Sequence, residues 1–115
     1  MNCIFCKIID GTIPSTKVFE NDKVIAFRDI NPQSPEHILV IHREHTESIS
    51  GTPADKTYIF ADIFSAVREI AVQLGLDDKG YRVLINNGAA AGQEVFHLHI
   101  HILGGKDSLG PMLCR

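Results

Sequence analysis

Residues 96–103 read Phe-His-Leu-His-Ile-His-Ile-Leu, so histidine alternates with an apolar residue from His97 to His101. Successive side chains of a β-strand point to opposite faces, and the alternation therefore predicts a strand with three imidazoles on one face and aliphatic side chains on the other. Three same-face histidines favour a chemical site over ordinary core packing. The stretch predicts a sheet and marks the face on which its site lies.

Strand and turn patterns surround the histidine stretch. Residues 17–27 predict an antiparallel hairpin with its turn at Asn21-Asp22, residues 37–42 a buried central strand, and residues 81–87 a strand before the histidine strand. The order strands, helix, strands lacks a regular βαβ alternation. It predicts an α+β fold, in which an antiparallel sheet of about five strands packs against one main helix.

The main helix is predicted between Thr52 and Gly75. Thr52 is positioned as the N-cap and Asp55 as its reciprocal capping partner, and Gly75 ends the helix. Apolar residues at helical spacing form one stripe that should pack on the sheet. The stripe consists of Ile59, Phe60, Ile63, Phe64, Val67, Ile70, Ala71 and Leu74. A short apolar stretch at residues 3–9 predicts a short N-terminal helix.

Composition restricts the kind of protein this can be. A chain of 115 residues is long enough for one hydrophobic core and too short for two, and we expect residues 1–115 to form a single domain. Eleven basic and fourteen acidic residues give a formal charge of -3, which creates no field that attracts nucleic acid or an anionic membrane. No leader or membrane-spanning run is present in the sequence, which predicts a cytoplasmic protein.

Two kinds of chemistry suit histidines that share a face. They can hold a zinc ion that keeps an open coordination position, or a neutral imidazole can attack phosphorus as a nucleophile. The loop at residues 88–94 is rich in glycine and alanine, which allow backbone N–H groups to approach a phosphate. A three-histidine zinc site does not account for this loop, so the sequence favours a phosphorus-containing substrate.

The histidine stretch resembles the signature of the histidine triad family, His-apolar-His-apolar-His-apolar-apolar. Further matches in order and spacing resemble its Hint branch: Phe5–Ile9, Ile13-Pro14, Ala26–Ile30, Pro32–His37, Gly80–Arg82 and Leu103–Gly105. Hint proteins are homodimeric purine nucleoside phosphoramidases and related adenylyl hydrolases. The resemblance therefore implies a HIT-like fold, a homodimer, and hydrolysis of purine nucleoside phosphoramidates and acyl or aminoacyl adenylates to AMP or GMP.

The resemblance also implies a role for each site residue. His99 is the expected nucleophile, which attacks the α-phosphorus and forms a transient nucleotidyl-histidine without a cofactor. His101 and His37 are expected to hydrogen-bond the phosphoryl oxygens, and His97 completes the catalytic set. The expected nucleotide contacts are Asp29 at the ribose, Ile8, Phe27 and Ile30 around the base, and Asn86, Gly92, Gln93, Glu94 and Val95 near the phosphate, beside His99 and His101.

Cys3 and Cys6 have the two-residue gap of a metal-binding knuckle. Some bacterial triad proteins complete such a site with two histidines, and the matching residues here are His45 and His97. The resemblance implies a structural zinc that ties the N-terminal segment to the histidine strand and leaves His99 free to attack. Alternatively, the two cysteines are small apolar residues of the short helix.

Other functions remain open from the sequence. A dinucleoside polyphosphate hydrolase is the nearest alternative among enzymes, although residues 104–112 resemble the C-terminal segment of bacterial Hint proteins. The alternative from another class is a nucleotide-binding or scaffold protein with incidental turnover. Glu94 stands where animal Hint proteins have a serine, and its carboxylate either delivers a proton to the leaving group or lies in solvent.

Overall fold

The computed structural model describes residues 3–111, which form an antiparallel sheet of five strands with two α-helices. In chain order the elements are α1 (Ile4–Ile9), β1 (Lys17–Glu20), β2 (Val24–Arg28), β3 (Glu36–His42), α2 (Tyr58–Gln73), β4 (Arg82–Leu84) and β5 (His99–Gly104). The strand order is β1-β2-β3-β5-β4, and neighbouring strands are antiparallel. This architecture confirms the predicted α+β fold. Met112, the last residue of the predicted C-terminal resemblance, lies outside the described residues, as does Cys114.

The β1–β2 hairpin follows from the side chain of Asn21. Its Oδ1 accepts hydrogen bonds from the backbone N–H groups of Lys23 and Val24, each at 2.8 Å. An asparagine that bonds the backbone two residues further on favours a turn, so the chain reverses here and β2 returns along β1. The predicted hairpin and the predicted central strand are both confirmed.

The sheet separates two apolar clusters. The larger cluster lies between the sheet and α2, and the smaller one between the opposite face and α1. Ile100 and Ile102 of β5 belong to the larger cluster. Because side chains alternate along a strand, His99 and His101 point to the α1 side. The same alternation buries β3 on both faces, so this strand forms the shared wall of the core and of the site.

The start of the main helix differs from the prediction. Thr52 does not cap it, because its hydroxyl donates to the Ser48 carbonyl at 2.7 Å and pairs with the Thr46 hydroxyl at 2.9 Å. Residues 54–56 form a 3₁₀ turn instead, and α2 begins at Tyr58 with no side-chain cap. These contacts tie the loop before the helix to Thr46, and the capping role predicted for Thr52 was wrong.

One member of the predicted apolar stripe also lies elsewhere. Phe64 is 49% exposed, whereas Ala66, which was left out of the stripe, is buried against the sheet. The sheet covers only the arc of α2 that contains Ile59, Ile63 and Ile70, and Phe64 lies beyond it. Among residues 3–111, no helix is long and apolar enough to cross a membrane.

The last two strands are shorter than predicted. β4 covers only residues 82–84, and β5 begins at His99, so His97 and Leu98 precede it. The backbone N–H of Leu98 donates to the Thr46 carbonyl at 2.7 Å and not to a neighbouring strand. This contact ends the ladder between β3 and β5, but Leu98 still packs in the larger cluster and His97 still lies on the α1 side, beside Phe5.

Candidate active site and metal centre

A cleft of about 880 Å³ opens on the α1 side of the sheet, a size suited to a small-molecule ligand. Most of the residues predicted to contact a nucleotide line it: Ile8, Phe27, Asp29, Ile30, His37, Asn86, Gly92, Glu94, Val95, His99 and His101. Gln93 and His97 do not belong to its lining. Phe5, Ser15 and Gln33 also line the cleft, and no spacing pattern in the sequence marked them as site residues.

His99, at the start of β5, carries one well-defined hydrogen bond. Its Nδ1 lies 2.8 Å from the backbone carbonyl of His97, and because a carbonyl only accepts, Nδ1 carries the proton. Burial lowers the pKa of the ring, against smaller opposing effects of this hydrogen bond and of Asp29, so His99 is neutral near pH 7. The unprotonated Nε2 of a residue lining the cleft is therefore a lone pair available for attack.

His37 and His101 form a hydrogen-bonded pair whose tautomers can be assigned. The backbone N–H of Gln33 donates to His37 Nδ1 at 3.0 Å, which places the proton of His37 on Nε2. This Nε2–H donates to His101 Nδ1 at 2.9 Å, and Asp29 Oδ2 lies 3.4 Å away. His101 therefore carries its own proton on Nε2, which is shielded from solvent and has no partner within residues 3–111.

The assigned tautomers give His37 and His101 different roles. Both nitrogens of His37 are engaged by the protein, so His37 orients His101, while His101 Nε2–H remains a donor for a ligand oxygen. Asp29, His37 and His101 lie close enough to suggest a metal site, but His37 Nε2–H has no lone pair to offer. The three residues are better described as a hydrogen-bonded relay at one end of the cleft.

Burial keeps this pair uncharged. It lowers the pKa of His37, with Asp29 opposing, and lowers the pKa of His101 to about 4, with His99 and His37 adding to the effect. Unfolded histidine titrates near 6.5, so between pH 6.5 and 4 the unfolded chain binds protons that the folded chain does not. Stability therefore rises with pH across this window and is lost as pH falls through it.

We expect the free energy of unfolding to fall by about 2–3 kcal/mol between pH 6.5 and pH 4 through His101 alone, given the size of its pKa shift. Urea unfolding of wild type and of His101→Gln, in one chelator-containing buffer series, isolates this contribution. The variant should lose less stability with acid than wild type does. Parallel pH profiles for the two proteins would contradict the assignment.

The loop before β5 is held by a buried glutamine. Gln93 Oε1 accepts from the Gly88 N–H at 2.8 Å, and its Nε2 donates to the carbonyls of Glu47 and Val95 at 2.7 and 3.1 Å. Gly88 and Gly92 take φ values of 91° and 96°, which favour glycine. Gln93 thus fixes the loop from within the protein, and it is not among the residues that line the cleft.

Replacing Gln93 by alanine should cost roughly 1–3 kcal/mol of stability, because three partly buried backbone groups lose their partner. It should also raise KM for a phosphate-containing ligand, since the backbone of this loop lines the cleft at Gly92 and Val95. Urea unfolding and steady-state kinetics measure the two effects. Gln73→Ala at the exposed end of α2 is the matched control, and equal behaviour of the two variants would argue against the bracing role.

Cys3, Cys6, His45 and His97 come together on the other side of His99 from the relay, with all four ligand atoms within 4.8 Å of one another. His97 Nδ1 lies 3.4 Å from Cys3 Sγ, 3.6 Å from Cys6 Sγ and 3.2 Å from His45 Nδ1, and Cys6 Sγ lies 3.5 Å from His45 Nδ1. Tetrahedral zinc bound by sulfur and nitrogen has ligand-to-ligand edges of about 3.3–3.8 Å. The donor set and its spacing fit zinc.

The protonation of these groups supports the same conclusion. His97 Nε2 donates to the His42 carbonyl at 2.9 Å, so Nδ1 presents a lone pair to the cluster. Burial lowers the pKa of His97 to about 4, which keeps the ring neutral. Burial and the neighbouring Cys3 raise the pKa of the Cys6 thiol to about 11, so this thiol forms a thiolate near neutral pH only when a metal ion stabilises it.

Comparison with known proteins bears on both sites. The HIT domain family matches residues 10–108 of the chain. The chain belongs to the HIT domain family. The purine nucleoside phosphoramidase of Escherichia coli K12 is 43% identical over 112 residues, with 97% of this chain and 93% of the relative covered. A HIT family hydrolase from Clostridium thermocellum superposes with a TM-score of 0.91 at 46% identity, with 97% of each chain covered.

The HIT domain relatives also include a 14 kDa zinc-binding protein of Zea mays, which is 44% identical over 110 residues and covers 94% of this chain and 85% of its own length. The family assignment confirms the resemblance to the histidine triad proteins, with phosphoramidases among the relatives. Hydrolases of the same fold indicate a hydrolase here as well. The HIT domain thus carries a histidine cleft and a separate group of cysteine and histidine side chains suited to a metal ion, and the hydrogen bond between His99 and the His97 carbonyl joins the two.

Proposed function

We propose that the chain, as a single HIT domain over residues 1–115, hydrolyses purine nucleoside phosphoramidates, and acyl or aminoacyl adenylates, to the nucleoside monophosphate. One observation carries the proposal. The hydrogen bond from His99 Nδ1–H to the His97 carbonyl leaves an unprotonated Nε2 on a residue that lines the cleft, next to the unpartnered Nε2–H of His101. A nucleophile and a donor for phosphoryl oxygen therefore lie side by side.

In the first step His99 Nε2 attacks the α-phosphorus, a bond from nitrogen to phosphorus forms, and the phosphorus–nitrogen bond to the leaving amine breaks. The imidazole becomes a cation that retains the proton on Nδ1, and the His97 carbonyl, which accepts that proton in a hydrogen bond, stabilises it. His101 Nε2–H donates to a phosphoryl oxygen as charge develops. His37, held by Gln33, keeps His101 in the required tautomer.

In the second step water attacks the same phosphorus, the bond to His99 breaks, and the nucleoside monophosphate leaves. The amine needs a proton in the first step and the water must lose one in the second. The exposed Glu94 lines the cleft, so its carboxyl group is the proposed carrier of both protons. Asp29 is proposed to accept from the ribose hydroxyls through Oδ2, because Oδ1 already accepts from the Asn31 N–H at 2.8 Å.

The phosphate cradle is proposed to use the backbone N–H groups of Glu94 and Val95. The N–H groups of Gly92 and Gln93 donate to the carbonyls of Ala89 and Gly88, whereas those of Glu94 and Val95 have no hydrogen bond within residues 3–111. Asn86 lines the same part of the cleft, and its amide is proposed to add a further donor. Ile8, Phe27 and Ile30 supply the apolar walls proposed to hold the base.

Zinc is proposed at Cys3, Cys6, His45 and His97. Bound there, it supplies structural cross-linking between the first turn of α1 and the segment before β5, and no step of the hydrolysis passes through it. Support comes from the distances and tautomer described above and from a zinc-binding relative. Catalysis itself is proposed to need no cofactor.

The assay that tests this function follows the products from two substrates. With adenosine phosphoramidate, purified protein should release AMP and ammonia in equal amounts, and kcat/KM should exceed that for diadenosine tetraphosphate by about 100-fold or more, since the cleft and its single nucleophile suit one nucleotide. Faster cleavage of the dinucleotide would favour the polyphosphate hydrolase. Binding of AMP without turnover of either substrate would favour a nucleotide-binding or scaffold protein.

We also propose that two copies associate through α2 and the edge strand β4. Phe64 and Val72 are exposed on the outer face of α2, and β4 is the last strand of the sheet. Light scattering should give about twice the 12.7 kDa chain mass, and Phe64→Glu should shift the protein toward the monomer. A wild-type monomer at about 100 µM would contradict the dimer.

A further inference from the structure

Phe5 occupies a position that none of the roles above explains. It is buried in the first turn of α1, lines the cleft, and lies between Cys3 and Cys6 in the sequence. Its ring meets the His99 ring edge to face at 5.1 Å between centroids and an interplanar angle of 90°. It also contacts the His97 ring at 6.0 Å and 64°. One aromatic side chain therefore touches both the expected nucleophile and a metal-ligating histidine.

The His99 ring needs such a contact to be oriented. Within residues 3–111 its side chain makes one hydrogen bond, from Nδ1–H to the His97 carbonyl, which fixes one ring atom and leaves rotation about that direction open. Phe5 packs against this ring, and the His101 ring also lies near it, at 5.1 Å and 58°. Edge-to-face packing is directional, so Phe5 limits the tilt of the ring and with it the direction of the Nε2 lone pair. In-line attack on phosphorus depends on that direction.

The place of Phe5 is set by its neighbours in the metal group. Cys3 is the N-cap of α1, and its Sγ accepts from the Cys6 N–H at 3.4 Å, so the two sulfurs bracket the turn that carries Phe5. The same group includes His97, whose carbonyl accepts from His99. A metal ion held by these ligands would fix both supports of the His99 ring, the Phe5 edge and the His97 carbonyl.

We infer that Phe5 is a positioning residue for His99. We also infer that, through Phe5, the binding of a metal ion at the metal centre affects the orientation of the nucleophile. The inference rests on the proposed function for the identity of the nucleophile. Phe5 therefore affects the chemical step and is more than a further apolar wall around the base.

The test compares Phe5→Leu with Phe60→Leu. Leucine keeps an apolar side chain in α1 but removes the aromatic edge, and Phe60 packs on the opposite side of the sheet against the larger cluster. Three quantities are measured on the full chain: bound zinc per chain, kcat and KM for adenosine phosphoramidate, and the ¹⁵N–¹H signals of the His99 side chain. The NMR spectra are recorded on zinc-loaded and on chelated protein.

We expect Phe5→Leu to bind the same amount of zinc as wild type, to lose about 10- to 100-fold in kcat, and to change KM by less than about 3-fold. Its His99 Nδ1–H signal should shift or exchange faster, and chelated wild type should show the same change. Phe60→Leu should resemble wild type in all three measurements.

A KM effect without a kcat effect in Phe5→Leu would overturn the inference, because Phe5 would then be only a wall of the base pocket. A His99 spectrum that is indifferent to zinc removal would also overturn it. The spectra need no turnover, so they test the coupling even if adenosine phosphoramidate is not a substrate. Failure of the proposed function and failure of this inference are thereby distinguishable.

Discussion

His99→Ala should reduce the hydrolysis of adenosine phosphoramidate by about 10⁴-fold or more, the scale seen when the nucleophile of a covalent mechanism is removed. The structure gives the reason. His99 is the histidine of the cleft whose Nδ1 proton is held by a carbonyl, so its Nε2 keeps a free lone pair. In His101 and His37 the assigned tautomers leave the corresponding Nε2 protonated. Neither of them can replace the lost nucleophile without a change of tautomer.

Rate measurement and mass spectrometry together check this prediction. Quenching the wild-type reaction in base should trap a nucleotidyl adduct on His99, since a phosphorus–nitrogen bond to imidazole is more persistent in base than in acid. His37→Gln serves as a comparison with a smaller expected effect. Because His37 acts only through His101, this substitution should reduce the rate of hydrolysis less, on the order of 10²-fold. Turnover by His99→Ala at the wild-type rate, or an adduct on another residue, would refute the assignment of the nucleophile.

Loss of the metal should produce the largest change in stability. We expect Cys6→Ala, or prolonged chelation of wild type, to lower the melting temperature by more than about 10 °C, because a metal that binds only the folded chain stabilises it by its binding free energy. The loss has a specific origin in the fold. α1 is only six residues long, and the cysteine–histidine group joins its first turn to His45 and to the segment before β5.

Cys114→Ala is the matched control, since Cys114 has no place in the predicted ligand set. It should retain about one zinc per chain and the wild-type melting temperature, while Cys6→Ala should retain less than a few tenths of an equivalent. The competing explanation treats Cys3 and Cys6 as small apolar side chains of α1. It predicts the opposite result, namely a metal-free wild type and an unchanged melting temperature in Cys6→Ala.

Much of the fold could be predicted from local patterns. The alternation in residues 96–103 and the β-branched run in residues 37–42 predicted two strands that do pair, and the Asn21-Asp22 turn predicted the hairpin. The capping prediction failed because other contacts within the same loop override the local preference. Thr52 has the properties of an N-cap, yet Thr46 and Ser48 take its hydroxyl. These partners lie within six residues of Thr52, but no periodic signal in the sequence marks them.

The sequence predicted which residues form the site better than it predicted the role of each residue. Histidine spacing located His99 and His101, and the resemblance supplied Asp29 and His37, which line the same cleft. The direction of each proton could not be read from spacing, because it depends on Gln33 and on the His97 carbonyl. The resemblance placed Gln93 near the phosphate but did not indicate that its side-chain amide has three protein partners. Only a structure distinguishes a residue that contacts a ligand from one that holds the loop around it.

The pairing of β3 with β5 has a consequence for how the chain acquires its site. His37 lies opposite Leu103 and Ile41 opposite His99, so these contacts close a loop of about sixty residues. Local elements such as the β1–β2 hairpin can form before that long loop closes. No partly folded chain that lacks this pairing holds the relay and His99 together. A nucleotide that binds the cleft should therefore slow unfolding and leave the rate of folding almost unchanged.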